Sequence, residues 1–125
     1  MHEEDAGVHD VPVIAIVDDD PSLRRSLLRV VRSAGYIAEA FAGGRELFEW
    51  LPSGRAACLV LDVHMPEMSG FDVEGRISVP IIFITADDDV ATRARIERSG
   101  AAGYLYKPFD TATLLAAIRR ALDRC

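Results

Sequence analysis

Five short aliphatic or β-branched runs recur along the chain, at Val11–Val17, Tyr36–Ala40, Ala57–Leu61, Pro80–Thr85 and Gly103–Tyr106. Their apolarity is nearly unbroken rather than alternating, the pattern of strands covered on both faces. Between them the spacing changes to that of helices. In Pro21–Ala34, Leu23, Leu27, Val30 and Val31 share one face, while Asp20 with Pro21 forms a start signal and Gly35 a stop signal. Gly43–Leu51 carries Leu47, Phe48 and Leu51; Asp89–Ser99 is amphipathic and stops at Gly100; Thr111–Asp123 sets Leu114, Leu115, Ile118 and Leu122 on one side. Strict alternation of strand and helix predicts a parallel sheet with helices on both faces, because right-handed crossovers leave few other topologies. The expected architecture is a doubly wound (βα)5 sandwich of the α/β class over residues 11–125, preceded by a mobile acidic tail at residues 1–10.

A chain of 125 residues, half of them hydrophobic, has room for one domain with a real core. The net charge of −6 is concentrated at the start, where Glu3, Glu4, Asp5 and Asp10 leave −2 for the rest. No run of Lys and Arg is dense enough to attract phosphate backbones or anionic lipid, so neither direct nucleic-acid contact nor membrane contact is expected. Cys58 lies inside an apolar run and Cys125 at the end, which is no disulfide framework; the reading is a buried thiol at Cys58 and a reducing, cytoplasmic setting. The longest apolar runs are far too short to span a bilayer, and Met1–Asp10 is acidic, unlike a secretory signal.

In an open parallel sheet, ligands bind beyond the carboxyl ends of the strands. The residues there are Asp18, Asp19 and Asp20 after the first strand, Asp62 after the third, Thr85 at the end of the fourth, and Lys107 with Pro108 after the fifth. Carboxylates gathered at roughly 4 Å repel by about 4 kcal/mol per pair at an effective dielectric of 20. Such a cluster raises a carboxyl pKa or binds a cation, and hard oxygen donors favour Mg²⁺. The fourteen basic residues are thirteen Arg and the single Lys107, so a compact point charge is wanted at that position. An ammonium and a hydroxyl beside metal-loaded carboxylates form the clamp a phosphoryl group in transfer requires, and one carboxylate can serve as its nucleophile. Asp20 reads better as a helix cap than as a ligand, and Asp87–Asp89 as a solvated loop entering a helix. His64 has no partner at metal-ligand spacing apart from Asp62, and a solvent-facing loop residue is expected there. No dinucleotide fingerprint, P-loop or serine elbow occurs.

Taken in order, the acidic run Asp18-Asp19-Asp20, the segment from Asp62 through Met65-Pro66 to Ser69-Gly70, the Thr85-Ala86 pair and the stretch from Gly103 to Phe109 resemble the receiver domains of two-component response regulators, from about Val11 to Asp123. The resemblance implies a flavodoxin/CheY-like fold with strand order 2-1-3-4-5. It implies that Asp62 is the phosphoacceptor, that Asp19 ligates Mg²⁺ directly and Asp18 largely through water, and that His64 lends its backbone carbonyl to the metal. Thr85 matches the switch hydroxyl, Lys107 the phosphate-binding lysine and Tyr104 the aromatic switch, and the Lys107–Pro108 bond is expected to be cis. The protein would then be no enzyme but a phosphoacceptor that promotes its own phosphorylation and dephosphorylation. Its donor would be a histidine kinase or phosphotransfer protein, and the readout surface would be the fourth helix, fifth strand and fifth helix. A monomer or a phosphorylation-dependent dimer would meet a downstream protein target.

One departure is plain. Only nine residues separate Gly70 from Pro80, where receiver domains usually have several more, and Gly75 within them lowers helix propensity by about 1 kcal/mol relative to Ala. A short, irregular or mobile third helix is expected. The chain as given ends with the fifth helix, and the expectation is a single-domain regulator acting through a protein partner, the alternative being a piece of a longer transcription factor. Three rival functions stand beside the phosphoacceptor: a Mg²⁺-dependent aspartate phosphatase, disfavoured by His64 where a second acid is needed; a flavodoxin-like cofactor binder, disfavoured by the acids after the first strand; and a degenerate receiver that only binds a partner.

Overall fold

The computed structural model describes residues 11–52 and 54–123; the expected tail at residues 1–10 lies outside them. Five strands, β1 (Val13–Val17), β2 (Ile37–Phe41), β3 (Cys58–Asp62), β4 (Ile81–Thr85) and β5 (Gly103–Tyr106), form one parallel sheet in the order 2-1-3-4-5. They alternate with α1 (Pro21–Ser33), α2 (Gly44–Trp50), α3 (Gly70–Glu74), α4 (Val90–Arg98) and α5 (Thr111–Asp123). The expected α/β sandwich is present, with both faces of the sheet covered. One core joins Ile14, Ile16, Val60, Ile82 and Ile84 to Leu27 and Val31 of α1 and Leu114 and Ile118 of α5. The other joins Ala15, Val17, Leu59, Leu61 and Phe83 to Leu47 of α2, Val73 of α3 and Ile96 of α4. Every residue of β3 and of β4 is buried, the physical reason those runs show no polar alternation. Among the described residues, no helix is long and apolar enough to cross a membrane.

Local signals place the helix ends. The Asp20 carboxylate accepts the N–H groups of Ser22 at 2.9 Å and Leu23 at 3.4 Å, with Pro21 in the first helical position, and Gly35 ends the turn beyond α1 at φ +99°. Asp89 caps α4 through the Thr92 N–H at 2.6 Å. Strand boundaries moved by a residue or two: β2 runs on to Phe41, whose carbonyl accepts the Asp18 N–H at 3.1 Å, and β3 includes Asp62, which pairs with Ile84.

The third helix is the short one expected. Ser69 and Asp72 close a reciprocal capping box, Gly75 terminates the helix after five residues, and residues 76–80 lead directly into β4. Two guanidinium groups stack on rings of α2 and α3, Arg76 at 4.4 Å from the Phe48 ring centre and Arg95 at 4.3 Å from that of Phe71.

Candidate functional site

β1 and β3 are neighbours in the sheet, so the acids that follow β1 and end β3 emerge side by side on one rim. Asp18 is fully buried, Asp62 is 4% exposed, and Asp19 is exposed to solvent. Oxygens of Asp18, Asp19 and Asp62 all lie within 4.8 Å of one another. Two adjacent carboxylates and a third more than forty residues further along the chain thus share one pocket, as their strand-end positions predict.

Lys107, delivered by the end of β5, reaches into this cluster. Its Nζ lies 2.9 Å from Asp18 Oδ2 and 3.5 Å from Asp62 Oδ2. Asp18 Oδ1 accepts the Asp20 N–H at 2.9 Å, whereas its Oδ2, although close to the ammonium, takes part in no well-formed hydrogen bond. A buried carboxylate oxygen left in that condition is costly unless a cation meets it. The backbone carbonyl of Asp18 accepts the Arg24 guanidinium at 2.7 Å, which ties the acidic loop to α1.

The Asp62 carboxyl is pushed up to about 6, first by burial and then by the Asp18 charge, against the opposing pull of Lys107 and of the His64 N–H that donates to its Oδ1 at 3.3 Å. Burial works against the Lys107 charge, yet the close approach of the Asp18 carboxylate and the charges of Asp62 and Asp18 hold the ammonium above the usual lysine range. Lys107 stays charged at any ordinary pH, and Asp62 is a carboxylate poised near neutrality. The Lys107–Pro108 peptide is cis, as expected.

Gly70 makes the close packing around Asp62 possible. A β-carbon there would stand 2.5 Å from the Asp62 carbonyl oxygen and 3.0 Å from Val63 Cα, and the Gly70 N–H donates to the Val63 carbonyl at 2.8 Å.

Thr85 is buried at the end of β4, one residue beyond the partner of Asp62. Its hydroxyl oxygen accepts the Asp87 N–H at 3.0 Å, so it belongs to the loop after β4 rather than to the acid cluster. Tyr104 stands partly exposed on β5, with its ring edge-on to Tyr106 at 5.6 Å. His64 is largely exposed, as expected for a loop residue, but it is not isolated: its Nε2 lies 3.4 Å from Asp87 Oδ2, joining the loops after β3 and β4. The aspartates read as a solvated loop therefore have distinct partners, Asp87 with His64, Asp88 with Arg93 at 2.7 Å, and Asp89 with the start of α4. The His64 link was missed by sequence reasoning because it joins residues whose proximity depends on strand order; the other two lie within the approach to α4 that the sequence marks as a helix entry.

Two depressions flank the cluster. One of about 250 Å³ is bounded by Asp19, Arg45, Glu67 and Met68; the other, of about 460 Å³ and mostly apolar, is bounded by Asp20, Leu23, Lys107, Pro108 and Phe109.

Residues 14–119 match the family described as the response regulator receiver domain. The chain is 38% identical over 117 residues to Nodulation protein W of Bradyrhizobium diazoefficiens, covering 90% of this chain and 52% of that protein. Among solved structures, it is similar to a response regulator receiver protein from Burkholderia phymatum (38% identity, TM-score 0.82, 90% of this chain and 95% of that one). It is also similar to the chemotaxis protein CheY4 of Vibrio cholerae (30% identity, TM-score 0.83, 90% and 99%). The chain spans about half the length of the curated relatives it matches. Fold, strand order, the acid rim with its lysine and the family match over most of the chain agree: this chain belongs to the response regulator receiver domain family.

Proposed function

We propose that Asp62 accepts a phosphoryl group from a phosphohistidine on a histidine kinase or phosphotransfer protein, and that the resulting acyl phosphate switches the α4–β5–α5 face for a downstream protein target. A carboxylate oxygen of Asp62 attacks phosphorus, the P–N bond to the donor imidazole breaks, and an aspartyl phosphate forms. The observation that carries this reading is the meeting of Asp18, Asp19 and Asp62 within 4.8 Å with Lys107 at 2.9 and 3.5 Å.

The donor set fits Mg²⁺: three hard carboxylates, one of them buried with an oxygen that lacks a hydrogen bond, at a rim open to water. Asp18, Asp19 and Asp62 would hold it, with the His64 carbonyl as a further donor, and bound there it would offset the negative charge of both carboxylates and phosphoryl oxygens. Lys107 supplies a second positive charge where that of the phosphoryl group arrives. Phosphorylation adds about one and a half to two negative charges, which Lys107 and the Thr85 hydroxyl can meet if Thr85 leaves Asp87. Tyr104, next to this region on β5, is the aromatic that would follow.

In this reading the protein is not a turnover enzyme, works in the cytoplasm and acts through proteins, whether alone or as part of a longer regulator. Acetyl phosphate with Mg²⁺ should label the parent chain at Asp62 and leave Asp62→Asn unlabelled. Labelling that persists in Asp62→Asn removes the assignment, and labelling independent of Mg²⁺ removes the metal.

A further inference from the structure

We infer that Arg93 and Tyr106 are positioning residues for the switch: their hydrogen bond, with Asp88 at the other end of the same guanidinium, ties the loop after β4 to β5 and holds Thr85 in its unphosphorylated setting. This rests on the phosphoacceptor reading above, in which the Thr85 hydroxyl must turn to a phosphoryl oxygen. In the structure that hydroxyl oxygen accepts the Asp87 N–H at 3.0 Å and lies 3.5 Å from the Asp87 carbonyl. Turning Thr85 away strips the Asp87 N–H of this acceptor, so the setting of Thr85 is linked to that of the backbone at residues 86–88.

That backbone is tethered through its side chains. Asp88 accepts Arg93 Nη2 at 2.7 Å, and Arg93 Nε donates to the Tyr106 hydroxyl at 3.1 Å. Tyr106 is also the residue paired with Thr85 across β4 and β5, so both side chains stand on the same face of the sheet beneath the start of α4. The Arg93 guanidinium lies 5.9 Å from the Tyr106 ring centre, and Tyr104 meets Tyr106 edge to face at 5.6 Å. Switch loop, first turn of α4 and both tyrosines form one line of contacts, in which Tyr106 cannot shift without releasing Arg93, and Arg93 cannot shift without releasing Asp88. The Arg93 side chain is 47% exposed and that of Asp88 64%, so water screens the link and it biases a conformational equilibrium rather than holding the fold together.

The test compares the parent chain with Tyr106→Phe, Arg93→Lys and the double variant. Asp62 labelling by acetyl phosphate with Mg²⁺ gives the rate, and fluorotyrosine NMR follows the Tyr104 ring before and after labelling. Tyr106→Phe keeps the ring and removes only the hydroxyl. Arg93→Lys keeps the charge beside Asp88 but loses the fork that reaches Tyr106. Each single variant is expected to label about two- to tenfold faster and to move the unphosphorylated Tyr104 signal part of the way to its phosphorylated position, the double variant no further than either single. Parent-like rates and signals in Tyr106→Phe overturn the inference. So does an Arg93→Lys protein that behaves like the parent, which would reduce Arg93 to a surface charge, or a double variant whose effects simply add. Absence of labelling in the parent is a different result: it removes the phosphoacceptor reading, and this inference with it.

Discussion

Lys107 and Asp18, from opposite ends of the chain, meet at 2.9 Å, and the same ammonium lies 3.5 Å from Asp62, so one cation serves two buried carboxylates, one just after β1 and one at the end of β3. A compact ammonium on a flexible stem can stand between two acids; a planar guanidinium presents its donors in a fixed fork. Lys107→Arg should still take phosphate at Asp62 but couple it poorly to the readout face. Phosphorylation-dependent chemical shifts in α4, β5 and α5 as large as the parent's would refute this. Lys107→Met strands both acids and should cost roughly 1–3 kcal/mol in urea unfolding at pH 7, with the Asp62 carboxyl rising further.

The elevated Asp62 carboxyl gives stability a definite slope with pH. Its pKa is raised from 3.8 to about 6, so the folded protein binds that proton more tightly than the unfolded chain does. The contribution is fully present below about pH 4 and is lost as pH rises through about 6; at pH 7.5 the burdened charge costs on the order of 2–3 kcal/mol. Without Mg²⁺, Asp62→Asn should therefore be more stable than the parent at pH 7.5 by roughly 1–3 kcal/mol, and the difference should disappear by pH 4. Equal denaturation midpoints at pH 7.5 would contradict the charge crowding inferred for this pocket.

Mg²⁺ should stabilise the fold by mass action, by about 2.7 kcal/mol at a hundred times its dissociation constant. Asp19 is the exposed member of the cluster, so Asp19→Asn should leave the metal-free melting temperature almost unchanged while demanding at least about tenfold more Mg²⁺ for the same rise. A thermal-shift titration with a chelator control reads both quantities. An Asp19→Asn curve superimposed on the parent's would exclude that residue as a ligand.

Gly70→Ala should be among the more damaging single-methyl changes in the chain. The new methyl would meet the Asp62 carbonyl oxygen at 2.5 Å, a backbone atom that gives way only by displacing the strand end that carries Asp62. A loss of roughly 1–3 kcal/mol is expected, with slower labelling of Asp62. Gly100→Ala, where no atom lies within 4 Å of the added carbon, is the control and should change little.

The parts of the molecule that could be read from the sequence are those whose signals are local. Asp20 with Pro21, and Gly35 after α1, mark helix ends through bonds spanning two or three residues, and the unbroken apolarity of β3 and β4 follows from burial on both faces. The acid cluster was legible by a longer route, because strand ends in a parallel sheet share one rim and the motif order matched a known family. The contacts between loops were not. Nothing in the composition of Asp87-Asp88 says which of them faces His64 and which Arg93: the first pairing depends on how far the loops after β3 and β4 rise above the sheet, the second on how the chain turns as it enters α4. The same holds for Tyr106, which reads as an ordinary aromatic strand residue until Arg93 is seen to donate to its hydroxyl.

The deficit before Pro80 was visible as a count, but its structural answer was not. A helix of five residues is about 7.5 Å long, less than half the reach of the strands it lies against. Phe71 of this helix and Phe48 of α2 are roofed by the flat faces of Arg95 and Arg76. A covering made of two side chains lifts off far more easily than a wound backbone, so amide protons of residues 71–77 should exchange with solvent sooner than those of any other helix. Being continuous with the strand end that carries Asp62, this segment is where the fold should first come apart under mild denaturant, while β1, β4 and α5 remain closed.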